Sequence, residues 1–267
     1  MTQVPNTPED RKKWLLDQKN REPLIRGGAG SIYFTGDMSK PKDLKIIVST
    51  RAARVGQGLA HFGGLSEECD TVPGDALKTG INNACREGRE EMSELLGYEP
   101  ALKPENYHFL YTARDDGFFI RNGHGFAINA RLHAYEIERE IFDALFPDGA
   151  TRTDPHKDYK GPEETSHAEV MPFFEALKRQ DDYFYAHEYF ALWVMAAKMM
   201  NQDVMKLVDQ VNADMPQGRR VDFNAVAAKM HTGLAELEEF LGTEYQGKLQ
   251  KYEAGTKKTV SAQKFKR

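Results

Sequence analysis

Glu87, Glu90, Glu91 and Glu94 recur at three- and four-residue spacings within one short stretch of the chain. At about 100° per residue, a helix gathers these four carboxylates into an arc of roughly 100°. Ile81, Ala84, Cys85, Gly88, Met92, Leu95 and Leu96 then form the opposing apolar stripe, so the spacing predicts an amphipathic helix over residues 81–96. Like charges three or four apart each cost roughly 0.2 to 0.5 kcal/mol in an isolated helix. A cationic partner would offset that cost. Mg2+ or Mn2+ suits the role, because hard divalent ions prefer clustered carboxylate oxygens and keep several waters. Taken alone, the helix reads first as a solvated acidic face, as most acidic helix runs do.

The elements that must position these residues lie upstream. Leu44-Lys-Ile-Ile-Val-Ser-Thr50 reads as a buried strand, followed by the turn Gly56-Gln-Gly58 and by Leu59-Ala-His-Phe-Gly-Gly64. A strand, a glycine turn and an acidic helix thus stand in series.

In this setting the chain resembles the Nudix hydrolase superfamily. The signature of that family is Gly, five residues, Glu, seven residues, then Arg-Glu-U-X-Glu-Glu-X-Gly-U, where U is a bulky aliphatic. Phe62-Gly63-Gly64 is similar to the glycine turn that opens the box. Arg86-Glu87-Gly88-Arg89-Glu90-Glu91 matches its second half, with Gly88 in place of the aliphatic. The spacing from Gly64 to Arg86 is longer than in the family, so Cys69-Asp-Thr-Val-Pro-Gly-Asp75 reads as an insertion. Asp70 falls near the place of the first motif Glu, with Glu67 and Glu68 equally within reach. Gly88 costs roughly 0.5 to 1 kcal/mol relative to Ala inside a helix, which predicts close approach to a sheet beneath it.

The resemblance, which spans roughly residues 31–177, implies an α/β fold: a Nudix-like α/β/α sandwich with a mixed sheet; after Lys178 the strand-like patterns cease and the chain reads as an all-helical C-terminal region. The resemblance also implies a hydrolase acting on phosphoric anhydride bonds. Glu87, Glu90 and Glu91 would then be metal ligands for Mg2+ or Mn2+, with Glu87 a ligand or the base for water. Arg86 would orient a carboxylate, and Gly64 would offer a backbone carbonyl to the metal. The catalytic set is Glu87, Glu90 and Arg86. Glu94 lies outside this set and reads as a solvated residue one turn further on. Arg51, Arg54 and Glu164 are candidates for substrate binding, the arginines through forked hydrogen bonds to phosphate. A further carboxylate is sought among Glu136, Glu138, Glu163 and Glu164. Residues 146–167 form a long connection of the kind that often covers a site, and read as a lid.

At 267 residues and 40% hydrophobic content, the chain is ordinary for a soluble globular protein larger than one typical domain. The reading divides it into an N-terminal helix and linker (1–30), the hydrolase domain (31–177), a helical region (178–255) and a basic tail (256–267). Thr7 and Pro8 mark the start of the first helix. Helices are expected at 182–201, 203–212 and 223–252. The net charge of −5 and pI near 5.9 argue against a nucleic-acid or anionic-membrane partner. Cys69 and Cys85 form no disulfide framework, which suits a reducing cytoplasm. Tyr183, Phe184, His187, Phe190, Ala191, Val194 and Met195 make a broad stripe at helical spacing. That stripe could pack on the sheet, pair with a second copy in a homodimer, or wall off the pocket. The expected partner is a nucleotide-type small molecule, which the family implies: a dinucleotide, a nucleotide sugar or a nucleoside triphosphate. A nucleotide-binding module without catalysis is the rival reading, since fold does not fix function.

Overall fold

The computed structural model describes residues 24–53, 57–121, 124–161, 164–229 and 250–251. Its strands are β1 (Leu24–Thr35), β2 (Lys45–Arg51), β3 (Leu59–Ala60), β4 (Phe62–Leu65), β5 (Tyr107–Arg121), β6 (His124–Glu136), β7 (Arg152–Thr153), β8 (Thr165–Pro172) and β9 (Gln250–Lys251). Its helices are α1 (Ala76–Leu96), α2 (Arg139–Leu145), α3 (Phe173–Ala176), α4 (Ala186–Met200), α5 (Val204–Ala213) and α6 (Phe223–Lys229). The expected helix at Thr7 and the basic tail fall outside the described residues, as do Arg54 and Glu163.

The strands form one mixed sheet in the order β7-β8-β2-β1-β6-β5-β9, with β3 beside β2 and β4 beside β1. The parallel pair is β1 with β6, from Leu24 opposite Phe126 to Phe34 opposite Glu136. On its other edge β1 changes partner. Gly28–Ser31 pair with β4, and Tyr33–Thr35 pair with β2. The sheet therefore divides between β4 and β2, and His61 sits at the break between β3 and β4.

Side chains alternate across the strands, as a two-residue period requires. Tyr33 and Ile47 point to one face, where Ile81, Ala84, Cys85, Met92, Leu95 and Leu96 of α1 cover them. Ile32, Phe34, Ile46 and Val48 point to the other, where Phe190, Trp193, Val194 and their neighbours in α4 cover them. The result is an α/β/α sandwich. The stripe expected on α1 is the buried one, and Gly88 lies against the sheet because a Cβ there would come within 2.0 Å of Tyr33 Oη. Asp75 caps α1 by accepting from the Lys78 N–H at 2.9 Å, and Gly97 ends it in the left-handed region at φ 75°.

Three expectations need correction and one open alternative is resolved. β1 begins at Leu24, ahead of the expected boundary near residue 31, because its parallel pairing with β6 extends that far back. Of the three placements open to the helices after residue 178, the structure takes packing on the sheet, since α4 supplies the second layer of the sandwich. Its apolar residues are buried against the chain's own sheet. The expected helix over 223–252 is described only as far as Lys229, and Gln250–Lys251 lie as a strand beside β5. Within the long connection of residues 146–167, Arg152–Thr153 pair with β8 as an edge strand. Among the described residues no helix is long and apolar enough to cross a membrane.

Candidate active site

Arg86 organises the acidic face of α1. Its Nη2 donates to Glu87 Oε1 at 2.8 Å, to the Leu65 carbonyl at 2.9 Å and to Asp70 Oδ2 at 3.1 Å. Its Nη1 donates to Glu90 Oε2 at 2.9 Å. One guanidinium thus ties together α1, the end of β4 and the short 3-10 turn Glu68–Asp70 inside the expected insertion. Of the three acids in that segment, Asp70 is the one that meets Arg86. Asp70 is 2% exposed and also accepts from the Glu67 N–H at 2.8 Å, whereas Glu67 and Glu68 do not meet Arg86.

Glu87 and Glu91 lie against the β4 turn. A Cβ on Gly64 would fall 2.4 Å from Glu87 Oε2, so only glycine lets that carboxylate approach the strand. A Cβ on Gly63 would fall 2.3 Å from the Ala29 carbonyl, which fixes the turn closely against β1. The Gly63 N–H donates to the Glu91 carboxylate. Burial pushes Glu87 up to about 7 against the pull of Arg86, with repulsion from Glu90 and Glu164 adding to it. Burial, and then the charge of Glu87, push Glu91 well above the usual carboxylate range, while Arg51 opposes the shift. Glu90 is exposed at the rim and is held by Arg86.

Arg51 ends β2, with its guanidinium carbon 5.3 Å from the ring centroids of both Phe184 and Tyr185. Glu164 stands exposed at the entry to β8, its charge felt by Glu87. Glu138 is committed elsewhere, accepting from Tyr135 Oη at 3.0 Å and Asn106 Nδ2 at 3.1 Å. Glu136 is exposed. Glu94 is not solvated as expected. It is 3% exposed, and its carboxylate accepts from the backbone N–H groups of Glu164 and Thr165.

Sequence reasoning missed Glu188. It projects from α4, on the opposite face of the sheet from α1, accepts from the His61 N–H at 3.2 Å and adds its repulsion to Glu91. The break at His61, between two strands of the divided sheet, is where the layers communicate. One signal was available: Glu188 interrupts an otherwise apolar run at the start of α4, and a buried charge there demands a partner.

The donor set is all oxygen and carries repulsion between buried carboxylates, which is the chemistry a hard divalent cation neutralises. Among the described residues, no three His, Cys, Asp or Glu side chains converge into a ready coordination shell.

No family model matches the chain, and no curated protein does. Solved structures do show similarity. A Nudix hydrolase from Alicyclobacillus acidocaldarius is 14% identical with a TM-score of 0.46, over 69% of this chain and 99% of that one. A mutT/nudix family protein from Listeria innocua is 17% identical with a TM-score of 0.39, over 68% of this chain and 97% of that one. A C. elegans Ap4A hydrolase in a binary complex is 14% identical with a TM-score of 0.35, over 66% of this chain and 98% of that one. The α/β/α sandwich with a mixed sheet, and the Arg86–Glu91 segment lying on a helix against a glycine turn, are the arrangement that the Nudix resemblance implies.

Proposed function

We propose that this chain is a metal-dependent pyrophosphohydrolase. Its substrate would be a nucleoside diphosphate linked to another group, as in a dinucleotide, a nucleotide sugar or a nucleoside triphosphate. The observation that carries this reading is the placement of half-buried Glu87 and buried Glu91 together against Gly63–Gly64, with Arg86 bridging Glu87, Glu90 and Asp70.

Glu87 is the base. A carboxylate raised to about 7 can hold or release a proton at neutral pH, near the optimum for general-base work. It takes the proton of the attacking water as the water oxygen bonds to phosphorus. The anhydride P–O bond then breaks, and its electron pair leaves on the departing phosphate. Arg86 fixes the Glu87 rotamer through Nη2 and keeps Glu90 close through Nη1. Arg51, beside Glu91 and backed by two aromatic rings, offers positive charge to a phosphoryl oxygen. Mg2+ or Mn2+, held by Glu91 with Glu90 at the rim, would neutralise phosphate charge and acidify bound water.

One observation favours the rival reading, a nucleotide-binding module without catalysis. Arg86 already pairs with Glu87 and Glu90, and an ion-paired carboxylate must exchange partners to bind a metal. A screen of dinucleotides, nucleotide sugars and nucleoside triphosphates with Mg2+ or Mn2+ separates the two readings. The hydrolase reading expects phosphate or monophosphate release, and Glu87→Gln should lower turnover about a hundredfold while ligand affinity changes less. Tight nucleotide binding with no product under any divalent metal would establish the binding module instead.

A further inference from the structure

The signature residues that follow Glu90-Glu91 are X-Gly-U, which here fall on Met92, Ser93 and Glu94. An acid therefore occupies the position of a bulky aliphatic, and it is 3% exposed. A buried carboxylate is costly unless its oxygens are hydrogen-bonded. Both of these are. Oε1 accepts from the Glu164 N–H at 3.2 Å, and Oε2 accepts from the Glu164 and Thr165 N–H groups at 3.1 and 3.0 Å. The same strap is held on its other side, because the Glu164 carbonyl accepts from the Ala52 N–H at 2.8 Å. A second contact lies nearby. The Glu94 carbonyl accepts from the His156 N–H at 2.7 Å, and the His156 ring packs so closely on Gly97 that a Cβ there would fall 2.5 Å from Nδ1.

We propose that Glu94 is a positioning residue, whose buried carboxylate latches the Glu164–Thr165 backbone to the catalytic helix and so presents the Glu164 side chain at the site. The proposal rests on the hydrolase reading for its effect on turnover, though not for the latch itself. α1 fixes the strap by its N–H groups, and Ala52, the residue after β2, fixes it by its carbonyl. The charge of the Glu164 carboxylate is felt by Glu87. Charge-assisted bonds to two successive N–H groups set the direction of that residue more tightly than one neutral bond would.

Amide hydrogen exchange and steady-state kinetics on the full chain test this. Glu94→Leu restores the aliphatic of the signature and removes every acceptor. Exchange at the Glu164 and Thr165 amides should rise about tenfold or more. kcat should fall about ten- to a hundredfold with KM nearly constant, as expected for a misplaced site group. Glu94→Gln keeps an acceptor without the charge and should lie between wild type and Glu94→Leu on both measures. Adding Glu164→Gln to Glu94→Leu should cost nothing further, because the latch acts through Glu164. If Glu94→Leu does not fold, the rise in exchange in Glu94→Gln decides the matter. Unchanged amide exchange in every folded variant overturns the latch, and full additivity of the two kcat losses overturns its action through Glu164. A wild-type protein without hydrolytic activity would sink the hydrolase reading alone, leaving the exchange result to judge the latch.

Discussion

Glu91 illustrates how much chemistry a single residue can conceal. From spacing alone it is one of four equivalent acids on a polar face, yet the structure buries it, bonds it to the Gly63 N–H and surrounds it with Glu87, Arg51 and Glu188. Removing its charge should therefore affect metal binding more than removing that of exposed Glu90. The expected outcome for Glu91→Gln is Mn2+ affinity lowered about tenfold or more, and for Glu90→Gln a smaller loss, both read by calorimetric titration. Equal affinities for wild type and Glu91→Gln would remove Glu91 from the metal site. Arg86, Glu87 and Gly64 were legible in the sequence because they are near neighbours in a spaced motif. Glu188 was not, because its proximity to Glu91 depends on where two helix layers meet through a divided sheet. Asp70 was only half legible. Counting placed three acids in its segment, and the local 3-10 turn decides which of them faces Arg86.

At the scale of elements, the glycine on the apolar stripe of α1 shows how helix and sheet constrain each other. Helix propensity alone predicts that Gly88→Ala stabilises by roughly 0.5 to 1 kcal/mol. The structure predicts the opposite sign. The new methyl would meet Tyr33 Oη at 2.0 Å, Tyr33 Cζ at 3.1 Å and Leu102 Cδ1 at 3.0 Å, and Tyr33 is itself held by Tyr107 Oη at 3.0 Å. Overpacking of this kind costs about 1 to 3 kcal/mol. Urea unfolding should show Gly88→Ala less stable than wild type. In a Tyr33→Phe background the loss should shrink, because the closest atom is gone. Equal losses in both backgrounds would mean that α1 does not rest on Tyr33. Periodicity foretold the apolar face of this helix but not the burial of Glu91 and Glu94 on its acidic side, which other elements cover. The strands were less legible. β1 draws its partners from β4, β2 and β6, pairings that no local pattern encodes.

For the whole molecule, the sandwich closes only because α4 is apolar almost all round, the pattern of a helix buried on every side. Placed on the sheet, it makes the second core, with Trp193 fully buried against Tyr189 and Phe223. Closing both faces also seals titratable groups inside the molecule. His61 and His133 are 1% and 0% exposed, and burial lowers each to about 3. Both are thus neutral in the fold, while an unfolded histidine takes up its proton near 6.5. Their contribution to stability is complete above that pH and is lost as pH falls from 6.5 towards 3, by about 2 kcal/mol each at pH 5. Glu87 and Glu91 act in the opposite sense. Their raised values mean that stability is present below the ordinary carboxylate range and is lost as pH rises, through about 7 for Glu87. A comparison of variants separates the two effects. His133→Asn should have a lower Tm than wild type at pH 7, because it replaces a packed ring. Its Tm should then fall less between pH 7 and pH 5, by several degrees, since one proton-binding site of the unfolded chain is gone. Thermal unfolding followed by circular dichroism across that range gives the answer. Parallel Tm curves for the two proteins would show that His133 is not held neutral by the closed sandwich.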